Sequence, residues 1–232
     1  MTEKIMDASL SMTNGESEVT VQGYPAVKDT NKVLIEGRLI HVFTSPRTTL
    51  LTVMTMTGWD RNMPSAISIT VPPELKEQAL ALNVKDVIKV EGVYRTVIRT
   101  NKETGEKQYV YNVTARSLEK AKSDLEALTG IEGGRSYGAS YNKVILVGDI
   151  ARTSQVRKGT TQITLKTSVP GSDRTFYADA RLYAKNMKKL APQLIVGNHI
   201  CLIGEIQTKV IEKEGCKKEY IHNLVVSDIR EV

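Results

Sequence analysis

The chain is poor in the residues that build chemistry. It has two cysteines, Cys201 and Cys216, and three histidines, His41, His199 and His222, all spread along 232 residues. No second Cys or His stands at metal-ligand spacing, so neither a disulfide framework nor a zinc site is expected, and a reducing cytoplasm is the expected compartment. Aromatics make up 5% of the residues, with one tryptophan, Trp59. No apolar run approaches the roughly 18 residues of a membrane-spanning helix. The first residues, Met1 to Asp7, are polar and carry acids, unlike a signal peptide. There is no Gly-rich phosphate loop, no paired catalytic acids and no nucleophile motif. Gly130 to Gly138 lacks the Lys-Ser/Thr of a P-loop and reads as a linker. An enzyme is not expected, nor is a cofactor or metal.

What the chain does have is a stretch that occurs twice. Asn31-Lys32-Val33-Leu34-Ile35-Glu36-Gly37 returns as Asn142-Lys143-Val144-Ile145-Leu146-Val147-Gly148, 111 residues later. At the same offset Tyr109 meets Tyr220, and Asn112-Val113 meets Asn223-Leu224. Gly92 meets Gly204 one residue further on. Matched landmarks in one order argue for a duplicated domain, and each copy has the size of a small domain.

Each copy reads as strands. Val33, Ile35, Gly37 and Leu39 alternate with Lys32, Leu34, Glu36 and Arg38, the period of a half-buried strand. Leu50 to Thr57, Ala66 to Val71, Asp86 to Arg99 and Gln108 to Thr114 follow as strands, with Gly92 as a bulge or bend. A short helix from Pro73 to about Leu82 lies between the third and fourth. The second copy repeats this with strands 143–152, 162–168, 175–183, 199–211 and 220–226 and a helix over 185–194. Ala115 to Leu128 reads as helical from the spacing of Leu118, Ala121, Leu125 and Leu128.

The predicted organisation is a flexible arm over 1–28, a first domain over 29–121, a helix and Gly-rich linker over 122–140, and a second domain over 141–232. Five strands with a helix between the third and fourth is the order of the OB-fold, so the expected fold is all-β, two tandem five-stranded Greek-key barrels.

Three segments of the second copy carry a resemblance: Asn142 to Arg152, Thr175 to Lys185, and Gly197 to Ile206 with Tyr220. Together they resemble the bacterial and phage single-stranded DNA-binding protein (SSB) family. The first copy keeps the opening strand and Val90 to Thr96 and diverges in the middle. The resemblance implies binding of single-stranded DNA without sequence preference, in replication, recombination or repair. RNA and a primosome-like interaction module are the alternatives. Family members stack bases on outward aromatics of the third strand, and Tyr177 and Tyr183 match those positions. The familiar SSB chain has one OB domain, forms tetramers and ends in an acidic tip that recruits partners. Here two copies share a chain, so a homodimer supplying four OB domains is expected. The sequence closes on Ser227 to Val232, and recruitment through an acidic tip is not expected. A nucleoid, phage or mobile-element setting fits.

The residues agree at one place. On strand 175–183, Phe176, Ala178, Ala180 and Leu182 share one face, suited to a barrel interior. Tyr177, Asp179, Arg181 and Tyr183 share the other. Rings that face outward offer bases a stacking surface. The net charge of +6 is mildly basic, and its cations fall near the strands and loops: Arg38, Arg47, Arg61, Arg95 and Arg99 in the first copy, Arg152, Lys158, Lys166, Arg174 and Lys209 in the second. Trp59 at a loop tip, and Tyr94 and Tyr111 on the last strands of the first copy, are further stacking candidates. The third strand of the first copy turns Ala66, Ser68 and Thr70 outward, without rings. The second copy is therefore expected to supply the stacking, and the first more of the electrostatics and assembly contacts.

Overall fold

The computed structural model describes residues 28–57, 63–100, 105, 107–121, 140–168, 175–183, 190, 192, 194–211 and 219–232. Ten strands carry the fold. The first five are β1 (Thr30–Thr44), β2 (Thr49–Thr57), β3 (Met63–Val71), β4 (Val87–Thr100) and β5 (Lys107–Lys120). The second five are β6 (Tyr141–Arg157), β7 (Thr160–Ser168), β8 (Thr175–Tyr183), β9 (His199–Ile211) and β10 (Glu219–Glu231). Between β3 and β4 a 3-10 turn, Pro73–Leu75, runs into a short helix α1, Lys76–Leu80. Most of the second expected helix lies outside the described residues.

Each set of five closes on itself. The first runs β1-β2-β3-β5-β4 and returns to β1, the second β6-β7-β8-β10-β9 and returns to β6. The closing contacts are short parallel pairs, Ile69 with Val113 and Ala180 with Leu224. Two five-stranded OB barrels therefore stand in one chain. Their interiors come from period-two faces: Val33, Ile35 and Leu39, for example, are essentially without solvent exposure, as are Ile163, Leu165, Ala178, Ala180 and Leu182. Burying a Val, Leu or Ile side chain contributes about 1.5–3 kcal/mol.

Small barrels must bend their strands sharply, and both copies bend at the same places. An extra residue, Ile40, bulges between β1 and β2, and Ala151 does so between β6 and β7. Arg116 bulges in β5 opposite Gly92, and Ser227 in β10 opposite Gly204. Each pair is related by the repeat offset of 111. Arg116 also corrects one expectation. Ala115 to Lys120 is strand, not helix. The bulge resets the alternation, so Ala115 and Leu118 are both buried while Arg116 and Ser117 are exposed. A bulge inside a strand leaves the same i, i+3 spacing as a helix turn. Residues 122–139 lie outside the described set.

The barrels are joined edge to edge. β1 pairs antiparallel with β6 from Thr30 opposite Val147 to Glu36 opposite Tyr141. At the centre Val33 faces Val144, its own counterpart in the repeat. A local twofold axis therefore passes between them. Around it each barrel lays its last hairpin over the third strand of the other. From β9, Thr208 donates its hydroxyl to the Ala66 carbonyl at 2.7 Å, and its backbone N–H to Ser65 Oγ at 3.3 Å. From β4, Tyr94 donates its hydroxyl to the Asp179 carbonyl at 3.3 Å.

His222 belongs to this seam. Its Nδ1 lies 3.0 Å from Thr208 Oγ1. The Thr208 hydroxyl proton is already directed to Ala66, so Nδ1 must be the donor. Burial lowers the His222 pKa to about 4. In the unfolded chain it would titrate near 6.5. The unfolded state therefore takes up the proton first as the pH falls, and the stability present above pH 6.5 is lost between there and about pH 4. We expect a loss of about 2 kcal/mol over that window, read as a fall in denaturant midpoint from pH 7.5 to 4.5. His222→Gln should be less acid-sensitive by that amount. An equal fall in both proteins would show that the buried imidazole is not the cause.

Candidate nucleic-acid interface

β8 is built to present one face outward. Ala178, Ala180 and Leu182 fill the barrel, which leaves Tyr177, Asp179, Arg181 and Tyr183 on the outside. Tyr177 is 53% exposed, a large fraction for an aromatic ring on a strand. β7 sets a polar partner beside each of them: Lys166 opposite Tyr177, Thr164 opposite Asp179, Gln162 opposite Arg181. Arg152 on β6 stands opposite Thr164 in the next register. The face thus combines rings on β8 with one cation from each of three strands, Arg152, Lys166 and Arg181.

The first barrel closes one side of this face. Tyr111 on β5 donates its hydroxyl to Asp179 Oδ2 at 3.2 Å, while the Thr164 hydroxyl donates to Oδ1. The Tyr111 ring lies against Tyr94, with centroids 5.9 Å apart and planes 10° from parallel. Burial, followed by the adjacent Asp179 charge and hydrogen bond, raises the Tyr111 pKa to about 12, so its hydroxyl stays a donor throughout the physiological range. Between the two barrels this leaves a cleft of about 630 Å³, lined by Thr96 and Tyr111 from the first barrel and by Arg152, Thr164, Tyr177 and Asp179, among others, from the second. That volume is within the common range for a ligand cleft.

Of the residues expected from sequence, Arg152, Tyr111 and Tyr177 line the cleft. Lys166 and Arg181 flank it by register. Tyr183 is half-buried at the far end of β8 opposite Thr160, and Lys158 is an exposed residue of the turn that precedes Thr160. Lys209 on β9 and Arg47 in the β1–β2 turn are exposed and do not line the cleft. Arg38 and Arg95 are half-buried on the first barrel, each with a buried Nε that has no hydrogen-bond partner among the described residues. Trp59, Arg61 and Arg174 lie outside the described residues, as does the side chain of Arg99.

Tyr94 is a correction. It is 1% exposed, with burial holding its phenol well above the usual range. A base cannot reach its ring, and its part is to back Tyr111. Phe176, assigned to the barrel interior from its alternation, is half-buried and borders the cleft. Thr96, Gln162 and Thr164 were not singled out by sequence. Thr164 and Gln162 could have been found as β7 partners of the β8 face; Thr96 left no signal, because it reaches the cleft only through the docking of two barrels.

The first barrel's matching face differs in chemistry. Ala66 replaces Tyr177, Ser68 replaces Asp179, Thr70 replaces Arg181 and Met54 replaces Lys166, as the two sets of strand registers align.

No family model and no curated protein sequence matches the chain. Among solved structures, it is similar to the wild-type single-stranded DNA binding protein from Thermus aquaticus, with 18% identity, a TM-score of 0.59, and coverage of 89% of this chain and 94% of that one. A deletion mutant of the same Thermus aquaticus protein gives 17% identity and a TM-score of 0.57, over 88% of this chain and 95% of that one. At this identity the likeness speaks to architecture: over nearly its whole length, this chain has the fold of the Thermus aquaticus single-stranded DNA binding protein.

Proposed function

We propose that this chain is a single-stranded DNA-binding protein of the SSB family, which coats strands exposed during replication, recombination or repair and carries out no chemistry of its own. Tyr177 carries the reading. Its ring is the most exposed aromatic surface on the outer face of either barrel's third strand among the described residues; Lys166 stands opposite it, Arg152 lines the same cleft and Arg181 lies further along its strand on the same face. A half-exposed ring on a face that also carries cations offers a base a π-face and its flanking phosphates counter-charges, an arrangement blind to sequence. The fold shared with the Thermus aquaticus protein supports it. The difference between the two outer faces supports a division of labour, with stacking on the second barrel. Two chains together would supply four barrels, which light scattering can test.

The test is a titration with oligo-dT, oligo-rU and duplex DNA at low and high salt, followed by mobility shift and by the fluorescence of Trp59. The expected result is tight binding to single strands that weakens with salt, and little to duplex. Tyr177→Ala should weaken oligo-dT binding about tenfold; Tyr183→Ala, already half-buried, should cost less. Unchanged affinity in both, with Trp59→Ala abolishing binding, would move the stacking surface to the first barrel.

A further inference from the structure

We infer that the inter-barrel cleft is a base-selective subsite that takes a nucleobase bearing an exocyclic amino group, with cytosine preferred over thymine. This rests on the reading of the chain as a single-strand binder and adds one selective position to an otherwise sequence-blind surface.

The cleft has what a single base requires. Tyr111 supplies a ring already stacked on a buried neighbour, and the half-exposed Tyr177 lines the same cleft. Arg152, an exposed cation that lines the cleft, would meet the phosphate. The polar group set among them is Asp179. A carboxylate has about four lone-pair positions. Thr164 and Tyr111 each occupy one, one on each oxygen. The remaining positions accept hydrogen bonds only, so the base edge that meets them must donate. Cytosine presents its N4 amino group there, whereas thymine's one donor, N3–H, lies between the O2 and O4 acceptors, both of which the carboxylate repels. Adenine and guanine also carry amino donors, and the cleft volume admits them. Thr96, whose buried hydroxyl has no partner among the described residues, borders the same space.

Asp179 is also out of place on a surface meant only for phosphates. A carboxylate there repels the backbone. Its fixed position, held by hydroxyls from both barrels, makes it a reader of base edges instead.

The experiment compares oligo-dC with oligo-dT of equal length, about 30 nucleotides so that both barrels are covered, at a salt concentration where both affinities are measurable. The quantity read is the dC-to-dT affinity ratio in the full-length chain. Asp179→Asn keeps the shape but turns one oxygen into a donor, and should lower that ratio at least about fivefold. Tyr111→Phe keeps the ring and frees a lone pair on Asp179, and should raise the ratio. A ratio unchanged in both variants, with tight binding retained, overturns the subsite and leaves the single-strand reading standing. Absence of binding to either oligonucleotide by the wild-type chain overturns both.

Discussion

Gly148→Ala is expected to lower the stability of the chain by about 3 kcal/mol. A Cβ on Gly148 would sit 2.2 Å from the carbonyl oxygen of Lys166 and 3.1 Å from Cα of Thr167. Both are backbone atoms of β7, the strand to which β6 is hydrogen-bonded at Asp149 and Lys166. The neighbour cannot turn aside as a flexible side chain would. It can yield only by breaking the ladder where the barrel bends. At Gly37, the repeat counterpart, an added Cβ would sit 2.3 Å from the Met54 carbonyl oxygen, so Gly37→Ala should act alike on the first barrel. Thermal unfolding checks this, with an expected fall in Tm of about 6–12 °C. Gly105→Ala is the contrast. Its φ is +69° but nothing lies within 4 Å of an added Cβ, so only the backbone conformation is penalised, by about 1 kcal/mol. A smaller loss for Gly148→Ala than for Gly105→Ala would show that strand proximity is not why glycine is there.

Asn31→Ala should cost a comparable 2–4 kcal/mol, for a different reason. Asn31 is 3% exposed and stands where β1 would pair with Tyr94 of β4. Its side chain completes the ladder. Nδ2 donates to the Tyr94 carbonyl at 2.6 Å, and Oδ1 accepts the Tyr94 N–H at 2.8 Å. Alanine would strand both backbone groups of a residue that is itself 1% exposed. Asn142 does the same for Ile206, at 2.8 and 3.0 Å. Chemical denaturation should show a lower midpoint with an unchanged slope. Since Tyr94 backs Tyr111, Asn31→Ala should also weaken binding at the cleft beyond what Asn142→Ala does. A midpoint shift below about 0.5 kcal/mol would mean that water replaces the amide.

These two residues show why much of the fold was legible in the sequence. A barrel strand has to alternate, it has to bend, and its bends need glycine. Those demands act on neighbours along the chain, so β1, β8 and the glycines at 37, 92, 148 and 204 carried them in plain view. Ala115 to Lys120 reads as helix in the sequence because a bulge breaks alternation without ending a strand. The site was less legible for a different reason. Tyr177 could be found because its own strand sends it outward. Tyr94 could not be placed, since whether its ring meets solvent depends on β8 of the other barrel. Asp179 was visible on the correct face, but its hydrogen-bond partners come from β7 and β5, one of them in the other half of the chain.

The meeting of Val33 with Val144 has a consequence for how such a protein can change. When two identical chains pair through this strand, every substitution is made twice, once on each side of the axis. A ring placed on one outer face is then also placed on the other, and a hairpin that docks on one face must dock on both. Carrying both halves on one polypeptide lifts that restriction and keeps the partner always at hand. One face was free to become a surface of rings and cations at Tyr177 and Lys166, and its counterpart to become the small, neutral seat that Thr208 occupies at Ala66.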